Sequence, residues 1–518
     1  MTVRGVRIGT EIVDVAHAAN SIKISASGQL ASPFDLTITK FEMTYSGDWQ
    51  PVQLAIEGVL RGQIISLGTS FGLTTAVSDL MQAGQRGSVT HTVSPRAVVL
   101  PNYFFGAYEA LAARLASLDA GSRVPVFIAP DGEVNATVDR VTPKRIVNTT
   151  GATDLRQFDV TIGRPGNPSI VKVSIDDRSR LARLDFPADS VVVIRDDIAT
   201  VMSREEKARN PGDDDLFIPA SGFTLGATVT RPANASGRAP AVVLVGGPGR
   251  QGRDEEMYGM PIFGQIAGRL AEAGYYVVRY DKRGIGQSGG RVEHASVGDY
   301  ADDVVQIITW LRKRPDVDPD RFALVAYSEG EAAALIAASR EKRIDTVVLL
   351  NAPGKTGREV TMEQQQRLLA RLNEPEPSKQ AKISLQTRIN DAVITGKGWD
   401  DLPEDLRRQT DTPWFKSWLL FDPATALDKV SQPVLIVHGA LDTELPPAHA
   451  DRLEQFARAR KKVPATSTKK VVVPGVNHIL VAAKTGDVDE YESLAKTLSP
   501  DVMSATIEWL KTAFAARK

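Results

Sequence analysis

The chain has 518 residues, too many for one compact core, so two or three domains are expected. Its 62 basic and 63 acidic residues leave a formal net charge of -1, which gives no reason to expect a nucleic-acid or anionic-membrane partner. With 42% hydrophobic and 24% charged residues the composition is that of a globular protein, and the lack of cysteine excludes disulfides, thiolate metal sites and a cysteine nucleophile.

Met1 to Ile8 carry no apolar signal core, and no run approaches the ~20 apolar residues of a membrane span. A soluble protein is therefore expected, its compartment left open, a periplasmic or secreted one included. Residues 1–200 read as a β-rich domain of unknown role. Ile22 and Ile24, Leu36 and Ile38, Phe158, Val160 and Ile162, and Val171, Val173 and Ile175 alternate with polar residues, the period of strands with one wet face. Turn clusters such as Pro130-Asp131-Gly132 break the runs, which predicts an antiparallel meander or half-barrel with one helix over Tyr108 to Leu118.

From about residue 215 to 518 strand and helix signals alternate, the pattern of a mostly parallel α/β sheet covered on both faces. Strands are expected over Phe223–Thr230, Ala241–Val245, Tyr276–Tyr280, Phe322–Val325, Thr346–Leu350, Val434–His438 and Lys470–Val473. Helix-length segments such as Phe263–Ala273 and Tyr300–Lys313 lie between them, and the last helix opens with Ser499 as N-cap and Pro500 at its first position. One gap breaks the rhythm, because roughly 80 residues separate Asn351 from Val434, far more than an ordinary connection. Much of it is helical in period, so residues 355–428 are read as a helical cap inserted over the C-terminal edge of the sheet. Its aromatic cluster, Trp414, Phe415, Trp418 and Phe421, either lines an acyl pocket or packs the cap onto the domain.

Ser328 lies in Val325-Ala326-Tyr327-Ser328-Glu329-Gly330, after the Phe322–Val325 strand and before an alanine-rich helix. Strand, one-residue corner and helix together make a nucleophile elbow, which lifts a hydroxyl out of the sheet and aims it along the helix axis. The plain alternative is an N-cap serine. A serine nucleophile needs a base, and among His17, His91, His294, His438, His449 and His478 only His478 sits in a loop directly after the last strand, Pro474-Gly475-Val476-Asn477-His478. His438 ends a strand, where a backbone or packing role fits better. The imidazole needs a carboxylate, for which Asp442 after the penultimate strand is the candidate and Glu444 the runner-up. The order Ser328, Asp442, His478 is that of nucleophile, acid and base on such a scaffold. Backbone donors for a developing oxyanion should come from Glu329 and from Val245-Gly246-Gly247-Pro248-Gly249, where Pro248 has no N–H and Gly247 is the better donor.

With these residues in place, 215–518 resembles the α/β-hydrolase superfamily, similar to its esterases and serine aminopeptidases. Val245 to Gly249 resembles that family's H-G-G-P-G oxyanion loop with valine in place of histidine, and Tyr280-Asp281-Lys282-Arg283-Gly284-Ile285-Gly286-Gln287-Ser288 its D-x-R-G-x-G-x-S turn. Arg253-Asp254-Glu255 resembles an acidic stretch that follows the loop in some of these esterases. The elbow departs from G-x-S-x-G in having Ala326 first, still a small residue. Residues 1–200 resemble no family we can name.

The resemblance implies acyl transfer to water through a covalent intermediate on Ser328, with a small-molecule acyl substrate, most simply a carboxylic ester, and with no metal or organic cofactor required. An aminopeptidase or other amide hydrolase is the rival, since Asp254, Glu255 and Glu329 could anchor an α-amino group, although a solvated rim is the simpler place for them. From another class, the chain could be a non-catalytic binding protein on a hydrolase scaffold. The N-terminal domain would then grip a ligand; otherwise it shapes the entrance or supports a homo-oligomer.

Overall fold

The computed structural model describes residues 1–515 apart from 4–5, 32–33, 83, 149–150, 164–167, 190, 199–203, 207, 234–236, 248, 250–251 and 462. The chain divides into two compact units, Met1–Glu206 and Lys207–Lys518.

In the first unit, seven strands between Gly9 and Thr92 form an antiparallel meander in which each strand pairs with its neighbour in the chain. A second sheet of ten strands, mostly antiparallel, takes in Val98 to Glu205 together with Thr2–Val3 and Val6–Arg7. The helix Tyr108–Leu115 stops three residues earlier than its apolar pattern suggested, and it buries Tyr108, Ala110, Leu111, Ala112 and Leu115. Both sheets and this helix share one core, in which Ile24, Ile38, Phe41, Phe158, Val160 and Val173 are nearly inaccessible. The alternation seen along the sequence is thus the alternation of inner and outer faces.

The second unit contains an eight-stranded sheet whose strands we label in chain order: β1 (Asp213–Pro219), β2 (Thr224–Thr230), β3 (Ala239–Val245), β4 (Tyr276–Tyr280), β5 (Val317–Tyr327), β6 (Ile344–Leu350), β7 (Val434–Gly439) and β8 (Thr468–Val473). Their order across the sheet is β1-β2-β4-β3-β5-β6-β7-β8. The first two pairings are antiparallel and the others parallel. Alternate residues of each central strand feed two different cores: Val243, Val245, Leu324, Ala326 and Leu349 on one face, Val242, Leu244, Val325, Tyr327 and Leu350 on the other. A sheet buried on both faces needs apolar residues at every position, which is why these strands read as continuous apolar runs.

Helices α1 (Ile262–Glu272), α2 (Val297–Leu311) and α3 (Gly330–Arg340) follow β3, β4 and β5. Between β6 and β7 lie five helices, α4 (Gly357–Arg371), α5 (Glu376–Thr395), α6 (Glu404–Thr410), α7 (Pro413–Leu419) and α8 (Pro423–Asp428). Their ends follow from local signals. Thr356 opens α4 with a capping box to Glu359, Thr412 and Asp422 cap α7 and α8 ahead of a proline, and Gly396 ends α5 at φ 72°. Helices α9 (Ala448–Arg458) and α10 (Pro500–Ala515) complete the unit. Among the described residues no helix is long and apolar enough to cross a membrane.

Strand β1 escaped the sequence reading because it opens with Asp213-Asp214-Asp215, which resembles a loop. Those acids are held from a distance. Asp213 pairs with Arg279 at 2.7 Å, Asp215 with Arg253 at 3.3 Å, and Asp214 with Arg231 at 2.8 Å.

Candidate active site

Strand β5 ends at Tyr327, and Ser328 takes φ 51°, a left-handed conformation that costs a non-glycine residue energy and occurs where a sharp corner demands it. Helix α3 begins two residues later, at Gly330. A Cβ on Gly330 would stand 2.3 Å from the Val245 carbonyl oxygen and 2.6 Å from that of Gly246, so only glycine lets α3 meet the end of β3. Gly247 lies against the same corner: a Cβ there would come 3.3 Å from the Tyr327 oxygen and 3.4 Å from the Ser328 Cβ. Ser328 itself is only 4% exposed.

Asp442 and His478 arrive from the ends of β7 and β8. His478 Nδ1 lies 2.7 Å from Asp442 Oδ2, in a bond shielded from water on both sides. The other carboxylate oxygen of Asp442 accepts the backbone N–H groups of Glu444 (3.0 Å) and Leu445 (2.8 Å), which hold it in one orientation. Asp442 is thus a turn residue as well as the imidazole's partner. Glu444, the alternative acid, instead accepts from the Tyr491 hydroxyl at 2.9 Å. Burial, the largest influence on His478, lowers its basicity, but the charges of Asp442 and Glu444, the bond to Asp442 and the charge of Glu329 outweigh it and push the imidazole up to about 9. With Nδ1–H committed to Asp442, Nε2 is the nitrogen left to act on a substrate.

Two residues outside the expected set hold the histidine loop. Asn351, just beyond β6 at φ 45°, donates to the carbonyls of Asn477 (3.0 Å) and His478 (2.7 Å) and accepts the Gly439 N–H at 2.8 Å. Tyr327 donates its hydroxyl to the His478 carbonyl at 3.2 Å. The sequence signal for Asn351 is a lone amide at the end of an apolar strand, where a leucine would otherwise fit. His438, placed among the structural histidines, is buried, binds the Leu445 carbonyl at 2.7 Å and lies 3.5 Å from Asp442.

The loop expected to supply an oxyanion donor, after β3, holds the main departure from expectation. The Gly247 N–H donates to Glu255 Oε1 at 3.2 Å, so the donor is engaged within the protein. The buried Lys282 ammonium donates to the Gly247 carbonyl and, at 3.5 Å, to that of Gly249. Pro248 lies outside the described residues. Of the three acids for which a solvated rim was the simpler place, Asp254 and Glu255 are only 5% and 2% exposed, as is Arg253 beside them at 2%, while Glu329 is half-buried. Arg253 pairs with Asp281 at 2.6 Å and Asp254 with Arg279 at 2.8 Å, fixing the loop to β4 and to the turn after it. Burial pushes the Glu255 carboxyl up and the Lys282 ammonium down. Burial likewise pushes Glu329 up to about 7, against the pull of Lys282 and His478.

Of the four aromatics proposed for a pocket, Trp414 and Trp418 line a small cavity with Gly247, Lys282 and Glu329. Phe415 stacks on Trp414 at 6.0 Å between centroids, and Phe421 on Trp418 at 6.2 Å. Those two phenylalanines pack into the core, the role of holding the inserted helices in place.

Residues 259–482 match the family model described as Serine aminopeptidase, S33. The second unit has the α/β-hydrolase fold. Curated relatives include the thiohydrolase apmlB of Arthrinium phaeospermum, 32% identical over 145 residues, and the esterase EstD of Thermotoga maritima, 25% identical over 249 residues. These alignments cover 26% and 48% of the chain and 45% and 56% of the relatives, so about half the length of each is matched. Among solved structures, Est1E of Butyrivibrio proteoclasticus with ferulic acid bound is similar at 20% identity and a TM-score of 0.38, over 58% of this chain and 99% of that one. The Pyrococcus furiosus esterase Pf2001 gives 15% identity and the same TM-score over 58% and 92%.

Proposed function

We propose that the chain is a serine hydrolase that cleaves carboxylic esters through an acyl-enzyme intermediate. The observation that carries this reading is the buried 2.7 Å bond between His478 and Asp442, which leaves Nε2 free, together with a serine at φ 51° on the strand-to-helix corner. Ser328 Oγ adds to the ester carbonyl while His478 Nε2 takes its proton, and Asp442 stabilises the imidazolium. The oxyanion is received by the N–H groups of Glu329 and Gly247. The tetrahedral species collapses, the alcohol leaves with the proton from Nε2, and a water deprotonated by His478 releases the carboxylic acid and restores Ser328. Gly247 can serve only as its bond to Glu255 loosens. Burial, which pushes the Glu255 carboxyl up, works against its charged form and so against that bond.

The relatives' names, an esterase and a thiohydrolase, both describe acyl transfer to water and support the class. Ser328→Ala should abolish hydrolysis of short p-nitrophenyl esters and labelling by a fluorophosphonate; activity retained in that variant would remove the assignment. A second reading, an aminopeptidase, is favoured by the description of the matching family model and by the buried carboxyl of Glu255 beside the half-buried Glu329. Comparing p-nitrophenyl acetate with aminoacyl p-nitroanilides separates the two.

A further inference from the structure

Next to the proposed nucleophile, Val245, Gly246, Gly247, Lys282, Tyr300, Glu329 and the inserted Trp414 and Trp418 enclose a cavity of about 20 Å³, room for one water-sized group. Two of its walls carry ionisable groups. Glu329 Oε2 is out of contact with water and, among the described residues, has no hydrogen-bond partner. Lys282, with its ammonium directed at the carbonyls of Gly247 and Gly249, brings a donor to the same space. A buried acceptor without a partner is costly, and native structures leave few of them unless a ligand or water completes the set.

We infer that this cavity takes a hydroxyl of the acyl group, so that the enzyme selects short 2-hydroxyacyl esters over plain or long-chain ones. The inference rests on the ester-hydrolase reading above and deepens it. A hydroxyl, like the water it would displace, can donate to Glu329 and accept from Lys282 at once. An ammonium can only donate, and it would be placed beside the Lys282 cation in a space too small to keep its water. A long alkyl chain has no room while Trp414 and Trp418 stand where they do. The hydroxyl must lie close to the carbonyl carbon, because Glu329 directly follows Ser328 in the chain and supplies its own N–H to the oxyanion.

The test compares initial rates on phenyl propanoate, phenyl lactate, phenyl alaninate and phenyl octanoate, following phenol release by the whole chain. Lactate should exceed propanoate in kcat/KM by about tenfold or more, the effect of one hydrogen bond to a charged group, and octanoate should be slowest. In Glu329→Leu the lactate-to-propanoate ratio should fall to near one, and Glu329→Gln, which keeps an acceptor oxygen, should restore part of it. Equal rates on lactate and propanoate would mean that the cavity only holds a water, and would overturn the inference. So would a preference for alaninate or for octanoate. Fluorophosphonate labelling of the wild type separates the two levels. Labelling with no lactate preference sinks the specificity alone, whereas no labelling and no ester turnover sinks the hydrolase reading and this inference with it.

Discussion

At the scale of single residues, the protonation of His478 decides when the proposed chemistry can run. Its imidazole is held up to about 9 by neighbouring acids against the effect of burial, and only the neutral ring can accept the proton of Ser328. Activity should therefore rise with pH through an alkaline limb of kcat/KM rather than one near 6.5. Replacing a nearby acid that does not bond the ring should lower that limb. Glu444→Gln is expected to move it toward acid by about half a pH unit, read from a pH-rate profile; an unmoved limb would show that Glu444 does not act on the histidine. Asn351 belongs at the same scale. Asn351→Ala removes two donors to the histidine loop and one acceptor for Gly439, and should cost roughly tenfold to a hundredfold in kcat with a smaller change in KM.

At the scale of elements, the site depends on how β1, β2, β4 and the oxyanion loop are tied together. Arg279 is wholly buried in the middle of β4 and meets Asp213 of β1 and Asp254 of the loop, at 2.7 and 2.8 Å. Arg279→Leu would strand two buried carboxylates and should destabilise the protein by about 3–5 kcal/mol, measured by chemical denaturation. None of this could be read along the chain. An arginine inside Tyr-Val-Val-Arg-Tyr looks like an interruption, and three aspartates look like a loop, until the sheet brings them together. The apolar strands were plain because burial on both faces leaves few polar positions. Helix starts such as Ser499-Pro500 were plain because capping is local.

For the molecule as a whole, two compact units, each with apolar cores of its own, carry two expectations. Calorimetry of the intact chain should resolve two transitions. Leu111→Ala, which opens a cavity in the first core alone, should lower one of them by an amount corresponding to about 2–5 kcal/mol. The same variant should keep its fluorophosphonate labelling below that transition, because Leu111 and Ser328 belong to different units. A single transition, lowered as one, would show instead that the two units unfold together.

What the sequence determined by itself was everything set by local pattern. The wet-faced strands of the first unit, the doubly covered sheet of the second, the elbow at Ser328, and loops bearing Asp442 and His478 at successive strand ends follow from periodicity, capping and turn chemistry. The tertiary structure alone decided what depends on distance through space. It set His478 on Asp442, gave Asn351 the histidine loop to hold, buried Arg253, Asp254 and Glu255, and closed Glu255 and Lys282 on the two sides of Gly247. Charges look solvated in a sequence because their partners lie tens to hundreds of residues away. Only packing, which strips their water and supplies those partners, turns them into a site.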